Sequence, residues 1–374
     1  MELIYPDKKK VDEVILNTPT YSFNCKINNN NLLIKGDNVV VLQTLLTNYN
    51  FKNSIDLIYI DPPFSTNSIF TIGKNRVSTV SKSNNDEIAY KDTLYGYKFI
   101  EFLRERLILA RELLSDVGSI YVHIDYKIGH YVKIIMDEIF GITNFRNDIT
   151  RIKCNPKNFE RKAYGNIKDM ILFYSKTRNI IWNAPKIPFN ADDKARLFKK
   201  IDKHGRAYTT IPLHAPGETK NGITATEFRG KKPPKGRHWR CPPSELEELD
   251  KAGLIEWSKT ANPRKILYAD EKDGKKMQDI WEFKDYQYPQ YPTEKNYELL
   301  KTIVSASSNE NSLVMDFFCG SGTMLVAAQN LNRKWIGIDI SDQAIKISQE
   351  KLSKLQNTLF SNNSYSYLEM CQPC

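Results

Sequence analysis

Hydrophobic residues early in the chain form short continuous runs that alternate with stretches of helical spacing. The run at 55–60 is apolar apart from Asp56, and Asp61 and two prolines follow it directly. An apolar run closed by a chain breaker is typical of a strand buried on both faces of a parallel sheet. Because proline has no backbone N–H, Pro62 and Pro63 must lie just past the end of this strand. The pattern therefore places an acid on a stiff turn at the sheet edge where open α/β folds bind ligands.

The same alternation recurs on both sides of this strand. It predicts strands at 31–37, 55–60, 118–125, 145–154, 169–174, 312–316 and 334–339, and helices at 38–46, 95–115, 127–140, 293–305, 324–331 and 341–355. Strands and helices in this order predict a Rossmann-like α/β fold with a doubly wound, mostly parallel sheet. The segments 145–154 and 169–174 are joined by a polar loop instead of a helix, which favours an antiparallel edge.

Charged residues on the predicted elements have mostly structural interpretations. On the helix 95–115, the apolar positions form one side, so we interpret Arg104, Arg106 and Arg111 as a solvated face. His123 lies near a strand end and is interpreted as a core histidine.

Two regions break the alternation. Residues 65–93 are rich in Ser, Asn, Lys and Thr and lack periodicity, which predicts a long loop that contacts the substrate. Residues 177–286 lose clear helix and strand periods and contain 23 Lys and Arg against 16 Asp and Glu. This segment therefore supplies +7 of the net charge of +10, which favours an anionic partner such as nucleic acid.

Composition limits the class of protein. The 374 residues are 41% hydrophobic and 26% charged, and no run approaches the roughly 18 apolar residues of a membrane helix. The N-terminal residues lack an apolar signal core, so a cytoplasmic protein without membrane contact is expected. The six cysteines are dispersed and only Cys371 and Cys374 are closely spaced, so we expect reduced thiols and no metal site.

A second candidate site lies at 318–323, Phe-Cys-Gly-Ser-Gly-Thr, directly after a predicted strand. Gly320 and Gly322 let backbone N–H groups approach a ligand closely. The next strand ends in Asp339, where an acid is placed to bond ribose hydroxyls. Leu325 replaces the third glycine of the dinucleotide fingerprint, and the Lys of a P-loop is missing. An adenosine cofactor without phosphates, S-adenosylmethionine, fits this pattern better.

The turn Asp-Pro-Pro-Phe at 61–64 together with the glycine turn at 318–323 resembles the amino-methyltransferases of DNA. The catalytic turn precedes the cofactor glycines, and a variable basic region separates them. This order resembles the circularly permuted β class, which includes adenine-N6 enzymes of restriction–modification systems and type III modification subunits. The likeness covers most of the chain. Two departures are Phe317, where relatives usually have Pro, and Asn296, which follows Lys295 where Pro is common.

The resemblance implies a role for each matching position. Asp61 and the carbonyl of Pro62 would accept hydrogen bonds from the target amino group, Pro63 would stiffen the turn, and Phe64 would stack on the flipped base. The residues implied in cofactor binding are Asp37 at the adenine, Asp339 at the ribose, and Phe318, Gly320, Gly322 and Thr323 at the methionine part. Thr293 and Lys295 match the segment that holds the methionine end, and Asp316 and Ser321 complete the cofactor-binding set.

The resemblance also implies a division of the chain at 1–176, 177–290 and 291–374. The first and last parts would be the catalytic and cofactor-binding halves of one methyltransferase domain, and 177–290 an inserted target recognition domain. Its most basic stretch is 229–240, from which we predict DNA contacts by Lys231, Lys232, Lys235, Arg237, His238, Trp239 and Arg240. Lys and Arg neutralise phosphates, and Trp offers a stacking face.

The expected activity is methyl transfer from S-adenosylmethionine to the N6 amino group of adenine in duplex DNA, with base flipping. Cytosine-N4 methylation is the alternative, although Ser-Pro-Pro-Tyr is the commoner turn in that group. Methylation of RNA or a protein glutamine, and a non-enzymatic DNA-binding subunit, are less consistent with the motif order and the intact site residues. A cognate restriction endonuclease and a homodimer remain open as partners.

Overall fold

The computed structural model describes residues 2–23, 27, 31–63, 69–73, 76–78, 87–91, 96–156, 160, 162–287, 294–356 and 364–370. The chain divides into two compact units. The large unit consists of Met1–Pro185 and Gln278–Cys374, and the small unit of Lys186–Met277. The small unit lies within the predicted boundaries of 177–290.

The first segment of the large unit carries helices and strands in the predicted alternation, with one additional helix, α1, and three additional short strands. Its elements are α1 (Val11–Asn17), β1 (Asn31–Lys35), α2 (Asn38–Asn48), β2 (Ile55–Ile60), β3 (Ile69–Gly73), β4 (Arg76–Ser78), β5 (Glu87–Lys91), α3 (Tyr97–Leu113), β6 (Leu114–Ile124), α4 (Gly129–Phe140), β7 (Phe145–Ile152) and β8 (Lys168–Ser175).

The second part of the chain completes both units. The small unit contains β9 (Lys186–Ile187), α5 (Ala191–Leu197), β10 (Lys200–Ile201), β11 (Ala207–Pro212), β12 (His214–Pro216), β13 (Arg237–Trp239), α6 (Pro243–Lys251), β14 (Ile255–Trp257), β15 (Pro263–Tyr268) and β16 (Lys275–Lys276). The large unit resumes with β17 (Ile280–Glu282), α7 (Tyr297–Ser307), β18 (Leu313–Asp316), α8 (Thr323–Asn330), β19 (Lys334–Asp339), α9 (Asp342–Gln356) and β20 (Tyr365–Glu369).

A sheet of nine strands in the order β17-β7-β8-β6-β2-β18-β19-β1-β20 forms the centre of the large unit. Every neighbouring pair is parallel except the two that include β8, which runs antiparallel to both β6 and β7. The structure thus confirms the mostly parallel sheet and the antiparallel pairing of the two segments joined by a polar loop. The halves from opposite ends of the chain meet where β2 pairs with β18.

The strands form where the apolar runs predict them, because their side chains are buried on both faces. In β2, only Asp56 is not fully buried, and its carboxylate accepts a hydrogen bond from Ser115 at 2.8 Å. The helix α3 covers the sheet with Phe99, Leu103 and Leu107, which are at most 1% exposed. Among the described residues, no helix is long and apolar enough to cross a membrane.

Two predictions about the large unit are wrong. Arg104 and Arg106 are buried rather than solvated, at 5% and 4% exposure, and only Arg111 is partly exposed. Arg104 donates to the carbonyl of Lys9, because the N-terminal segment lies against α3. The prediction of a long loop at 65–93 is also wrong where the structure describes this segment, because β3, β4 and β5 pair into a three-stranded antiparallel sheet. Its contact with the substrate stays a prediction.

The small unit has a different construction. Its four-stranded sheet has the order β10-β11-β15-β14, and all its neighbours are antiparallel. Two further antiparallel pairs join β12 to β13 and β9 to β16. Four buried residues form the hydrophobic cluster described for this unit: Leu213, Phe228, Trp239 and Leu246. The unit therefore depends on a small core held among short strands.

Candidate active site

A cavity of about 300 Å³ lies at the carboxyl edge of the central strands. Its floor comes from four neighbouring strands in the order β2-β18-β19-β1, and each of these strands leads to an acid at this edge. The acids, in the same order, are Asp61, Asp316, Asp339 and Asp37. Since neighbouring strands are about 4.8 Å apart, the row spans roughly 14 Å from Asp61 to Asp37. The cavity can therefore hold an elongated small molecule lying across the strand ends.

Most of the predicted catalytic and cofactor residues line this one cavity. They are Asp37, Asp61, Pro62, Pro63, Lys295, Asp316, Phe318, Gly320, Ser321, Thr323 and Asp339, and Gly322 lies in the same turn. The predictions for Phe64 and Thr293 fall outside the described residues.

The Asp61 carboxylate has two unlike oxygens. Oδ2 forms an ion pair with the ammonium group of Lys295, which is only 9% exposed. Oδ1 is buried and has no hydrogen-bond partner among the residues that the structure describes. A buried acceptor without a partner costs free energy, on the order of 1–3 kcal/mol. Lys295 thus holds the carboxylate in place, and Oδ1 is left to accept a hydrogen bond from a ligand in the cavity.

The turn after β18 requires glycine and is held in place by hydrogen bonds. Gly322 has φ +71° and precedes α8, and a Cβ there would come within 2.6 Å of Ser348 Oγ. Gly320 also has a positive φ, and its N–H donates to Asp339 Oδ2 at 2.8 Å. The other Asp339 oxygen accepts from Ser341 N–H at 2.9 Å. Asp339 therefore ties the glycine turn to the end of β19.

The cavity lining carries more acidic than basic side chains. Five carboxyl groups face two cations: Asp37, Asp61, Asp316, Asp339 and Glu294 against Arg106 and Lys295. Burial, together with the charge of Asp61, raises the pKa of Asp316 well above its ordinary value, and burial also raises the pKa of Asp339. Such a lining disfavours phosphate and favours a ligand that carries positive charge.

A second ion pair borders the glycine turn. Lys351 on α9 pairs with Glu294 and also contacts the hydroxyls of Ser321 and Thr323 at 3.1 and 3.3 Å. Asn296, two residues after Glu294 in the chain, is the N-cap of α7, and its side chain accepts a hydrogen bond from Glu298 N–H at 2.9 Å. Asn296 thus starts the helix, which explains how the segment tolerates a residue other than proline there.

Behind Asp61 lies a buried row of polar side chains on adjacent strands. The hydroxyl of Tyr59 is 2.9 Å from His123 Nδ1, and His123 Nε2 is 3.3 Å from Asp169 Oδ2. Lys153 donates to the other oxygen of Asp169 at 2.7 Å. Burial lowers the pKa of His123, so its imidazole is neutral at neutral pH. His123 is a buried histidine with polar partners, in agreement with its interpretation as a core residue.

Arg106 is the main lining residue that sequence reasoning missed. It lies in the row Phe99, Leu103, Arg106, Ala110 and Leu113, whose spacings of three and four residues form one helix face. All five are buried, so this apolar row was a signal that Arg106 faces inward. Tyr59, Phe102 and Ile340 also line the cavity and were not predicted.

The basic stretch 229–240 lies in the small unit, and its residues have different environments. Lys232, Lys235, Arg237 and Arg240 are exposed, whereas His238 is half-buried and donates from Nδ1 to Gly217 O at 2.7 Å. Lys231 donates to the carbonyls of Thr260 and Ala261, both at 2.7 Å.

The predicted role of Trp239 as an exposed stacking face is wrong. Its side chain is fully buried in the core of the small unit, and its Nε1–H donates to Thr226 O at 2.9 Å. Phe228 packs edge-on against it at 6.4 Å between ring centroids. A small unit with few large apolar residues uses this indole as core, so it is not available to stack on a base.

Comparison with known proteins gives consistent results. The family described as DNA methylase, N6_N4_Mtase, matches residues 55–350. The chain is 42% identical to the type II methyltransferase M.EcaI of Enterobacter cloacae over 329 residues, which cover 86% of this chain and 69% of that protein. It is 27% identical to the Mod subunit of the type III restriction-modification enzyme StyLTI of Salmonella typhimurium, over 82% of this chain and 51% of the relative. The chain thus spans about half of that subunit.

Among solved structures, the chain is similar to the M1.HpyAVI–SAM complex, with 16% identity and a TM-score of 0.43. That match covers 86% of this chain and 99% of the other.

Proposed function

The chain belongs to the N6_N4_Mtase family of DNA methylases, and from this membership we propose that it transfers a methyl group from S-adenosylmethionine to the N6 amino group of adenine in duplex DNA. The observation that carries the proposal is the buried, unpartnered Oδ1 of Asp61 in the same cavity as the glycine turn. An acceptor in that position suits an amine that must be held by its hydrogens.

The lining residues fit S-adenosylmethionine. The molecule has a cationic sulfonium and an ammonium group and no phosphate, which matches a cavity with an excess of carboxyl groups. When bound, it supplies an electrophilic methyl group. The row of acids fits its length, so we place the methionine part near Glu294 and Asp316, the ribose at Asp339 and the adenine at Asp37.

The chain's own residues would activate the amine. An exocyclic amine is a weak nucleophile because its lone pair is delocalised into the ring. Asp61 Oδ1 and the carbonyl of Pro62 would each accept one amino hydrogen and so hold the lone pair toward the methyl donor. Acceptors fixed in advance stabilise the positive charge that develops on nitrogen. Pro62 and Pro63 restrict the turn, which keeps the acceptors in place.

The target base must leave the duplex to reach this cavity, at a cost of a few kcal/mol. We place Phe64 against the flipped base, where stacking would offset part of that cost. We assign the exposed basic residues of 229–240 to phosphate contacts, and the small unit to target recognition. The similarity to a type III Mod subunit supports a restriction endonuclease as partner.

Cytosine-N4 methylation is the alternative activity, because the family includes both kinds of enzyme. Asp61 supports adenine, since a serine is commoner at this position of the turn in the cytosine group. The deciding experiment uses methyl-labelled S-adenosylmethionine and duplex DNA, followed by digestion to nucleosides. We expect the label in N6-methyladenine. Label in N4-methylcytosine would support the alternative, and no label in any nucleoside would contradict both.

A further inference from the structure

Arg106 is a buried cation at the Asp37 end of the cavity. Only 4% of the residue is exposed, and burial lowers the pKa of its guanidinium to about 10. The group therefore stays charged at neutral pH while being removed from most of the water. A buried charge is costly unless its donors are paired, and an apolar residue of similar size is often more stable at such a position. The presence of arginine here calls for an explanation beyond packing.

The contacts of Arg106 hold it rigidly. Its Nη2 donates to Asp37 Oδ1 at 2.9 Å, Nη1 donates to the Phe102 carbonyl at 2.8 Å, and Nε donates to Asn38 Oδ1. The guanidinium also lies over the Phe102 ring, with its central carbon 3.5 Å from the ring centroid. Helix α3 is thereby connected to the start of α2 through one side chain.

These contacts hold one carboxylate oxygen of Asp37, Oδ1, and leave the other, Oδ2, to accept a hydrogen bond from a ligand. Oδ1 accepts from Arg106 and from Val39 N–H, the latter at 3.1 Å, and so Asp37 also serves as the N-cap of α2. No described residue donates a hydrogen bond to Oδ2, and the side chain is 48% exposed at the cavity. A carboxylate oxygen only accepts, so Oδ2 selects a ligand that presents an N–H or O–H donor at this end.

We propose that Arg106 is a specificity-determining positioning residue, which holds the Asp37 carboxylate so that Oδ2 accepts the 6-amino group of the cofactor's adenine. This inference rests on the proposed function. An adenine presents an amino donor at C6, whereas a hypoxanthine ring presents an oxygen with lone pairs, which a fixed carboxylate repels. Without Arg106, the Asp37 side chain is free to rotate and this discrimination weakens.

The test compares two ligands with the full chain: S-adenosylhomocysteine and its 6-oxo analogue, S-inosylhomocysteine. Affinities are measured by titration calorimetry for the wild type, Arg106→Met, Arg106→Lys, Asp37→Asn and the double variant Arg106→Met with Asp37→Asn. Arg111→Met on the same helix is the control, since Arg111 pairs with its neighbour Glu112 and does not line the cavity.

We expect the wild type to bind the adenosyl ligand on the order of 100-fold more tightly than the 6-oxo analogue. This ratio of affinities corresponds to the free energy of one hydrogen bond to a charged group. Arg106→Met should reduce that preference about tenfold, mainly by weakening the adenosyl ligand. Asp37→Asn should abolish the preference, and Arg106→Met should reduce it no further in that background. Arg106→Lys keeps the charge but not the fork of donors, so it should also reduce the preference. If Arg106→Met does not fold, the ligand preference of Arg106→Lys tests the role of Arg106 instead.

An equal loss of affinity for both ligands in the Arg106 variants, with the preference intact, would make Arg106 a merely structural residue and overturn the inference. The proposed function would survive that result if the wild type binds S-adenosylhomocysteine and methylates DNA. A wild type that binds neither ligand would instead remove both proposals together.

Discussion

The large and small units differ in how their cores relate to the amino-acid sequence. In the large unit, β2, β6 and β18 are buried on both faces, and their apolar runs are visible in the sequence. In the small unit, most strand residues are half-buried, and four side chains form the described core cluster. A sheet buried on both faces can therefore be recognised from apolar runs in the sequence. A small antiparallel unit depends on a few core residues that no such pattern marks.

The strongest test of this difference is the removal of Trp239. Because this indole fills the small core, Trp239→Ala should destabilise the small unit by about 3–5 kcal/mol. The half-exposed Trp257, which stacks on Phe228, is the matched control, and Trp257→Ala should cost much less. Urea denaturation and limited proteolysis measure the effect. S-adenosylhomocysteine affinity should be retained in both variants, and equal destabilisation by the two substitutions would contradict the account of this core.

A second test concerns the buried acid of the large unit. Burial raises the folded-state pKa of Asp316 above the usual aspartate value of about 3.9. Between those two values, the folded chain holds a proton that the unfolded chain has lost, so stability falls as the pH rises. Asp316→Asn should remove the contribution of Asp316 to that fall, and so gain stability relative to the wild type by up to about 1.4 kcal/mol per pH unit of the window. The midpoint of thermal unfolding at several pH values measures this.

The pH profiles of the wild type and Asp316→Asn are also measured with S-adenosylhomocysteine bound. Adding S-adenosylhomocysteine, whose ammonium group we place near Asp316, should reduce the pH-dependent loss in the wild type because a nearby cation favours the ionised carboxylate. Parallel pH profiles for the wild type and Asp316→Asn would show that the acid does not titrate in this window, which contradicts the prediction.

The smallest effect is expected on the surface of the small unit. The Lys232 side chain is 74% exposed, and its Nζ lies 3.9 Å from Glu227 Oε1. Lys235 is exposed as well. Replacing both with Gln should weaken DNA binding and reduce its logarithmic salt slope by about 0.9 for each lost phosphate contact. Lys231→Gln is the control, since its ammonium group already donates to two carbonyls. An equal reduction in the control would assign Lys231 to the DNA surface as well.

Much of the fold could be predicted because apolar runs and helical spacing depend on local sequence. The contact between Asp61 and Lys295 could not be predicted from spacing, since the two residues lie on segments that meet only when β2 pairs with β18. Motif resemblance placed both residues in one site, but not as an ion pair. Arg106 was misread because charge was given more weight than its position in an apolar row. Trp239 was misread because its charged neighbours suggested a surface.

Asp61 is the residue on which the proposed activity depends most, as the acceptor that activates the amine. The decisive measurement is methyl transfer from labelled S-adenosylmethionine to duplex DNA by the wild type, Asp61→Ala and the control Asp56→Ala, whose carboxylate lies on β2, the strand that leads to Asp61. We predict that Asp61→Ala lowers the rate by on the order of 1,000-fold or more, while S-adenosylhomocysteine affinity changes only a few-fold. Asp56→Ala should keep near-normal turnover. An Asp61→Ala variant that methylates DNA within about tenfold of the wild-type rate would contradict the central claim.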